Sequence, residues 1–129
     1  RTAGKQPSLE PPEQSRVVVI DGDPAVRDSL ATLLALEDRI VSTYATAAAF
    51  LQDLDDAPIG CVIAAADLPD RSGLELYTLL HTRHPETHFA LLLPRNDAQL
   101  LARAQGLGIR HVFPKPLVHR SLLAFVLDH

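Results

Sequence analysis

Methionine and tryptophan are absent from this sequence of 129 residues, and its single cysteine, Cys61, excludes an internal disulfide. We interpret Cys61, which lies in an apolar segment, as a buried structural thiol. The net charge is −4, so the chain lacks the basic footprint of a nucleic-acid-binding domain. No apolar run approaches the roughly 18 residues that span a membrane, and there is no signal-peptide pattern. These features predict a cytoplasmic domain that binds neither nucleic acid nor membrane directly.

The chain divides into a short tail and one domain. Residues 1–14 lack hydrophobic periodicity and contain Pro7, Pro11 and Pro12, which predicts a flexible linker or tail. Residues 15–129 are long enough for one domain, and the 47% of apolar residues in the chain can bury a core. Because the first residue is Arg1 rather than methionine, we expect the chain to be part of a longer polypeptide.

Short apolar segments alternate with segments of helical periodicity along the domain. The apolar segments predict five strands, at 17–20, 39–45, 61–65, 88–93 and 110–113. Capping residues mark the expected starts of the first four helices: Asp23, Thr46, Ser72 and Asp97. A fifth helix is expected from about residue 118 to the end. This alternation predicts an α/β fold, with a parallel sheet covered by helices on both faces.

Three segments carry a resemblance to a known family. "VVVIDGDPAVRDSLATLL", "DLPDRSGLELYTLL" and "GIRHVFPKPL" occur in an order and at spacings that resemble the receiver domain of two-component response regulators, over about residues 16–129. The resemblance implies a flavodoxin-like, doubly wound fold with strand order 2-1-3-4-5. It also implies a role in bacterial phosphorelay signalling, in which a histidine kinase phosphorylates an aspartate of the receiver.

Several positions depart from the chemistry that the resemblance implies. The phosphoacceptor position, four residues before Pro69, is occupied by Ala65, and a methyl group cannot form an acyl phosphate. Gly22 stands where the family has the second acidic Mg²⁺ ligand, and Leu93 stands at the position of the switch hydroxyl. Val112 replaces the aromatic switch residue. Such coordinated absences indicate a naturally degenerate receiver, or pseudo-receiver, that is not an enzyme.

Three charged residues remain near the predicted strand ends. Asp21 and Lys115 match the family pattern, and Asp23 is an additional carboxylate. With no phosphate to hold, the ammonium of Lys115 is expected to pair with Asp21 or Asp23, because an unpaired buried charge is costly. The family has a cis peptide bond after this lysine, so the resemblance implies one before Pro116.

Alternative readings involve Asp67, which lies two residues after Ala65. It could be a substitute phosphoacceptor, could join Asp21 and Asp23 in holding a divalent cation such as Mg²⁺, or could be a solvated loop residue. A third class of function is a small-molecule-binding flavodoxin-like domain. No glycine-rich phosphate loop follows the first strand, which disfavours a nucleotide site. We therefore expect no cofactor.

The leading hypothesis is a regulatory module that works through protein–protein interaction or dimerisation, without phosphorylation. The resemblance implies that the fourth helix, fifth strand and fifth helix form the interaction face. Arg103, Arg110 and Phe125 are its candidate residues. Phe125 lies beside the apolar stripe of the last helix, so either partial burial or a contact surface is open for it. His81 and His84, three residues apart, are interpreted as a solvated helix end and not as metal ligands.

Overall fold

The computed structural model describes residues 16–94 and 97–128. The strands are β1 (Arg16–Ile20), β2 (Ile40–Tyr44), β3 (Cys61–Ala65), β4 (His88–Leu93) and β5 (His111–Pro114). The helices are α1 (Pro24–Ala35), α2 (Ala47–Asp53), α3 (Gly73–Arg83), α4 (Ala98–Gly106) and α5 (His119–Leu127). The strands form one parallel sheet in the order β2-β1-β3-β4-β5, as predicted. The predicted linker at 1–14 lies outside the described residues.

The sheet separates two apolar layers. One layer packs side chains of α2, α3 and α4 against the sheet, with Phe50, Leu76 and Leu80 among its fully buried members. The other layer places Leu30 and Leu34 of α1, with the buried residues of α5, on the opposite face. Because β3 is buried on both faces along its whole length, it reads as a continuous apolar run and not as an alternating strand.

Side-chain caps fix the starts of four helices, as the sequence predicted. Asp23, Thr46 and Asp97 each accept a hydrogen bond from a backbone amide in the first turn of the following helix. Ser72 and Glu75 form a complete capping box at α3. These caps satisfy amides that the helices themselves leave without partners. Helix α5 begins after Val118 without a side-chain cap.

The interpretation of Phe125 as a contact surface is wrong. Its side chain is only 4% exposed and belongs to the layer beneath α1 and α5. The ring lies 4.7 Å from the His111 ring and 6.0 Å from the Phe113 ring, measured between centroids. The inward face of α5 therefore includes Phe125 as well as Leu122, Leu123 and Val126, because β5 supplies aromatic partners for the Phe125 ring.

Helix α3 buries one face against the sheet. Leu74, Leu76 and Leu80 are buried, whereas Leu79 is 43% exposed. Helix α4 ends close to Gly108, where the backbone adopts a φ of 92°. Within the described part of the chain, none of the helices is long and apolar enough to cross a membrane.

Candidate functional site

The strand register brings the predicted site residues to one edge of the sheet. Ile20 pairs with Ala64, and Ala65 pairs with Leu92. The residues that follow β1 and β3 therefore meet at the carboxyl edge, where ligands bind in parallel α/β sheets. Ala65 is 1% exposed and Leu93 is 5% exposed, so the middle of this edge is apolar and closed.

Asp21 is the buried carboxylate of the site. Its Oδ1 accepts a hydrogen bond of 2.9 Å from the backbone amide of Asp23, and its Oδ2 lies 2.9 Å from Nζ of Lys115. Among residues 16–94 and 97–128, no donor meets Oδ2 at hydrogen-bonding angles, so the contact with the Lys115 ammonium is an ion pair in poor hydrogen-bond alignment. The predicted pairing of Lys115 with Asp21 is confirmed.

Backbone contacts hold the two charged residues in place. The amide of Lys115 donates to the carbonyl of Leu93 at 2.9 Å, and the peptide bond to Pro116 is cis, as the sequence resemblance implied. Nη1 of Arg27 donates to the backbone carbonyl of Asp21 at 2.7 Å. The Lys115 side chain keeps 28% of its surface exposed, whereas that of Asp21 keeps 4%. The ion pair thus closes the site from its solvent side.

Close packing around the glycines leaves little room at the same edge. A Cβ on Gly22 would lie 3.0 Å from Cγ of Pro69, so the proline ring fills the space beside residue 22. A Cβ on Gly73 would lie 2.3 Å from the carbonyl oxygen of Ala65, a distance that backbone atoms do not tolerate. The start of α3 therefore packs directly on the end of β3, and only glycine fits there.

The aspartates do not assemble into a cation site. Asp67 is exposed and pairs with Ser72 in an isolated antiparallel bridge, while Asp23 caps α1. Across residues 16–94 and 97–128, no three His, Cys, Asp or Glu side chains are grouped so that they could hold a metal. The alternative of a site formed by Asp21, Asp23 and Asp67 is thus not supported. Since Lys115 lies against Asp21, the donor set does not fit Mg²⁺.

Asp70 has a role that the sequence analysis missed. Its two carboxylate oxygens accept hydrogen bonds from the amides of Ala47 and Ala48, at 3.0 and 2.8 Å. Partial loss of hydration acts to raise the pKa of Asp70, but the hydrogen bonds from Ala48 and Ala47 outweigh it and hold the pKa below its usual value. The loop after β3 is therefore tied to the start of α2. Ala48 and Asp70 are more than 20 residues apart in the sequence, so the pattern of residues around either one does not predict this contact.

Two of the three candidate interaction residues lie on the surface. Arg103 on α4 and Arg110 before β5 are exposed, in contrast to Phe125. Beside α4 and β5 lies a groove of about 460 Å³. Its lining is mainly apolar: Leu93, Pro94, Asp97, Ala98, Leu101, Val112 and Pro114.

His81 of α3 and His84, the C-cap of that helix, have separate contacts. His84 Nε2 lies 2.8 Å from the backbone carbonyl oxygen of Asp55, and the His81 ring stacks on Tyr77. Neither belongs to a metal-binding group among the residues that the structure describes. The interpretation of this pair as a solvated helix end holds for His81, which is exposed, and less well for the half-buried His84.

Curated relatives are bacterial transcription and response regulators. The transcriptional regulatory protein FixJ of Azorhizobium caulinodans is 35% identical over 115 residues, which are 89% of this chain and 54% of FixJ. The transcriptional regulatory protein TdiR of Thauera aromatica is 33% identical over 109 residues, 84% of this chain and 48% of TdiR. The chain thus spans about half the length of these relatives.

Solved structures show the same fold. The signal receiver domain of an HD domain-containing protein from Pseudomonas fluorescens superposes with a TM-score of 0.80 and 27% identity, covering 88% of this chain and 91% of that one. A CheY-like receiver domain from Methanospirillum hungatei has a TM-score of 0.80 at 24% identity, covering 88% and 90%. Residues 17–127 match the response regulator receiver domain family. Together with the geometry of the strand ends, this match establishes that the chain belongs to the family of response regulator receiver domains.

Proposed function

We propose that this receiver domain is a pseudo-receiver, which regulates through protein–protein contact and does not accept a phosphoryl group. The observation that carries the proposal is Ala65, a buried methyl group at the end of β3, beside an Asp21–Lys115 ion pair. An acyl phosphate needs a carboxylate nucleophile, and phosphoryl transfer depends on placing nucleophile, cation and phosphate accurately. At this edge the nucleophile is missing and the remaining charges neutralise each other.

The residues that would respond to phosphate are also changed. Leu93 has no hydroxyl to be drawn toward a phosphoryl group, and Val112 has no aromatic ring to follow it. A ligand shifts a conformational equilibrium only by its different affinity for the two states. We therefore expect one dominant conformation, with its interaction surface constantly available. Because the chain belongs to the receiver family, the alternative of a small-molecule-binding flavodoxin-like protein loses its support.

Intact-mass spectrometry after incubation with acetyl phosphate and Mg²⁺ tests the proposal. We expect no gain of a phosphate group by this chain, whereas a receiver domain that has an aspartate at the acceptor position, treated in parallel, provides the positive control. Stoichiometric phosphorylation of the wild type would overturn the proposal. If that phosphate were lost in Asp67→Asn, the substitute-acceptor alternative would be correct.

The surface that we propose for a partner protein or a second copy of the chain is α4 with β5. Arg103 and Arg110 supply exposed positive charge, and the groove beside α4 and β5 supplies apolar area. Receiver domains interact with partner proteins or dimerise, which makes this surface a reasonable contact site. This surface replaces the one that included Phe125.

A double charge variant tests this surface. Arg103→Glu with Ala98→Glu alters two exposed positions on α4, and the glutamate in the first helical turn suits the helix dipole and offsets the loss of the basic residue from the last turn, so folding should be retained. We expect weaker self-association in sedimentation velocity than for the wild type. The matched control is Gln52→Glu with Arg71→Glu, on α2 and the loop after β3. Unchanged association of the α4 variant would place the interface elsewhere.

A further inference from the structure

The exposed side of α5 carries a ridge of three residues spaced four apart. Arg120, Ala124 and Asp128 follow one another on one side of the helix, because positions i and i+4 are neighbours on a helical surface. All three are exposed, and the buried residues of α5 lie on the opposite side. The apolar groove beside α4 and β5 has none of these three residues in its lining. The α5 ridge is therefore a separate surface from the one proposed above.

The charges of the α5 ridge stand at the unfavourable ends of the helix dipole. Arg120 lies in the first turn of α5, and Asp128 is its C-cap residue. Because the amino end of a helix is partially positive and the carboxyl end partially negative, each side chain lies beside a helix end of its own sign. Helix α3 has the favourable order, with Glu75 in its first turn and Arg83 in its last. Both ends of α5 therefore lack a local stabilisation that α3 has.

The described part of the domain does not compensate these charges. Within residues 16–94 and 97–128, neither Arg120 nor Asp128 forms a salt bridge. The same helix begins after Val118, which gives no side-chain cap and is 63% exposed, and Leu127 beside the ridge is 48% exposed. Uncompensated charges and exposed apolar side chains on one helix are typical of a surface that contacts another protein.

The α5 ridge is complementary to itself when its direction is reversed. Ala124 is its midpoint, and the two charged residues lie four positions away on either side, about 6 Å along the helix axis. When a second copy of α5 runs antiparallel with the two alanines facing, each Arg120 lies beside Asp128 of the other copy. The arginine then also lies near the carboxyl end of the neighbouring helix, where a cation is favourable. A second copy of this chain thus supplies the charges that the domain itself does not.

We propose that the α5 ridge is a self-association surface, on which α5 packs antiparallel against α5 of a second copy around a two-fold axis at Ala124. Packing the i±4 rows of two helices against each other gives a crossing angle of about −50°, and a small residue at the crossing lets the axes approach to about 8 Å. Because a two-fold contact is closed, the product is a dimer and not a filament. The contact of two nine-residue helices is small, so the dimer is expected to be weak. The proposal goes beyond the pseudo-receiver function, since it holds whether or not the domain accepts a phosphoryl group.

Cysteine cross-linking tests the arrangement directly. In Ala124→Cys the two introduced thiols face each other across the two-fold axis, where they can form a symmetrical disulfide. The native Cys61 is buried and does not compete. The control Gln52→Cys places a thiol at an exposed position of α2. We expect Ala124→Cys to give covalent dimer at least about tenfold faster than the control under the same mild oxidation, because its thiols are held together before they react. Equal rates would show random collision and would overturn the proposal.

Charge reversals in the Ala124→Cys background test the pairing. Arg120→Glu and Asp128→Arg each place two pairs of like charge across the contact, so each should slow cross-linking by about tenfold. Both reversals suit the dipole of α5, so folding should be retained. When the two variants are mixed, every facing pair in the mixed dimer is again of opposite sign, and cross-linking should return to the rate of Ala124→Cys alone. A mixture that reacts no faster than either variant alone would exclude the antiparallel arrangement.

A variant of α4 separates this contact from the surface proposed above. Arg103→Glu with Ala98→Glu, introduced into the Ala124→Cys background, alters α4 and leaves the α5 ridge intact. Cross-linking through position 124 should therefore keep its rate. A loss as large as that caused by Arg120→Glu would overturn the assignment of the contact to α5. Because none of these measurements involves phosphate, a failure here leaves the acetyl phosphate test of the pseudo-receiver to be read independently.

Discussion

Lys115 places its ammonium 2.9 Å from Oδ2 of Asp21, and this oxygen has no hydrogen-bonding partner among the described residues. Replacing Lys115 by alanine removes the countercharge of this buried carboxylate oxygen. We expect Lys115→Ala to lower the free energy of unfolding by about 1–3 kcal/mol, measured by urea denaturation.

The exposed Arg83–Asp56 pair provides the control for that measurement. These side chains lie 3.5 Å apart on the surface, where water screens the charges, so Arg83→Ala should change the stability little or not at all. A neutral or stabilising effect of Lys115→Ala would mean that the buried ion pair contributes no more than the exposed one.

Two glycines should respond to alanine with opposite signs. In Gly73→Ala the new methyl would lie 2.3 Å from the carbonyl oxygen of Ala65, so α3 must move away from β3 and stability should fall by about 2–4 kcal/mol. In Gly106→Ala nothing lies within 4 Å of the methyl, and alanine should stabilise the end of α4 by about 0.5–1 kcal/mol. Thermal unfolding of both variants checks the signs; a tolerated Gly73→Ala would contradict the packing described here.

The hydrogen bonds to Asp70 predict a difference in acid stability. Its folded pKa is lowered, so the ionised carboxylate contributes stability that is present above about pH 4 and is lost as the pH falls through the folded pKa. Asp70→Asn should be less stable than the wild type at pH 7, and the two should converge near pH 2. Urea midpoints at both pH values test this. A constant difference between the two proteins would show that ionisation of Asp70 does not matter.

The thiol of Cys61 should be inert in the folded protein. Burial raises its pKa to about 11, against a smaller opposing effect of the Arg39 charge, so little thiolate exists at pH 8. We expect no reaction with Ellman's reagent in native buffer and complete reaction in urea. Rapid stoichiometric labelling of the native chain would contradict the burial of β3.

Local sequence signals predicted the fold well because they correspond to local physics. The caps at Asp23, Thr46, Ser72 and Asp97 satisfy amides within three residues, and the strands are apolar because both faces of the sheet are covered. The pairing of Lys115 with Asp21 was predictable for another reason, since the resemblance to receiver domains implied that both residues belong to one site.

The features that were missed depend on distant parts of the chain. The capping of α2 by Asp70 requires the loop after β3 to fold over the start of α2. The burial of Phe125 requires the rings of β5 beneath α5. Periodicity within one helix describes none of these contacts.

The contact between the Pro69 ring and Gly22 affects which substitutions would be needed to engineer a phosphate-responsive switch into this domain. Installing an acidic side chain at position 22 first would press its Cβ against the ring at 3.0 Å and force the ring to shift. Replacing Pro69 together with Gly22 avoids that shift, and an aspartate at position 65 then gains a second carboxylate as neighbour. The substitutions at positions 22, 65 and 69 should therefore be combined.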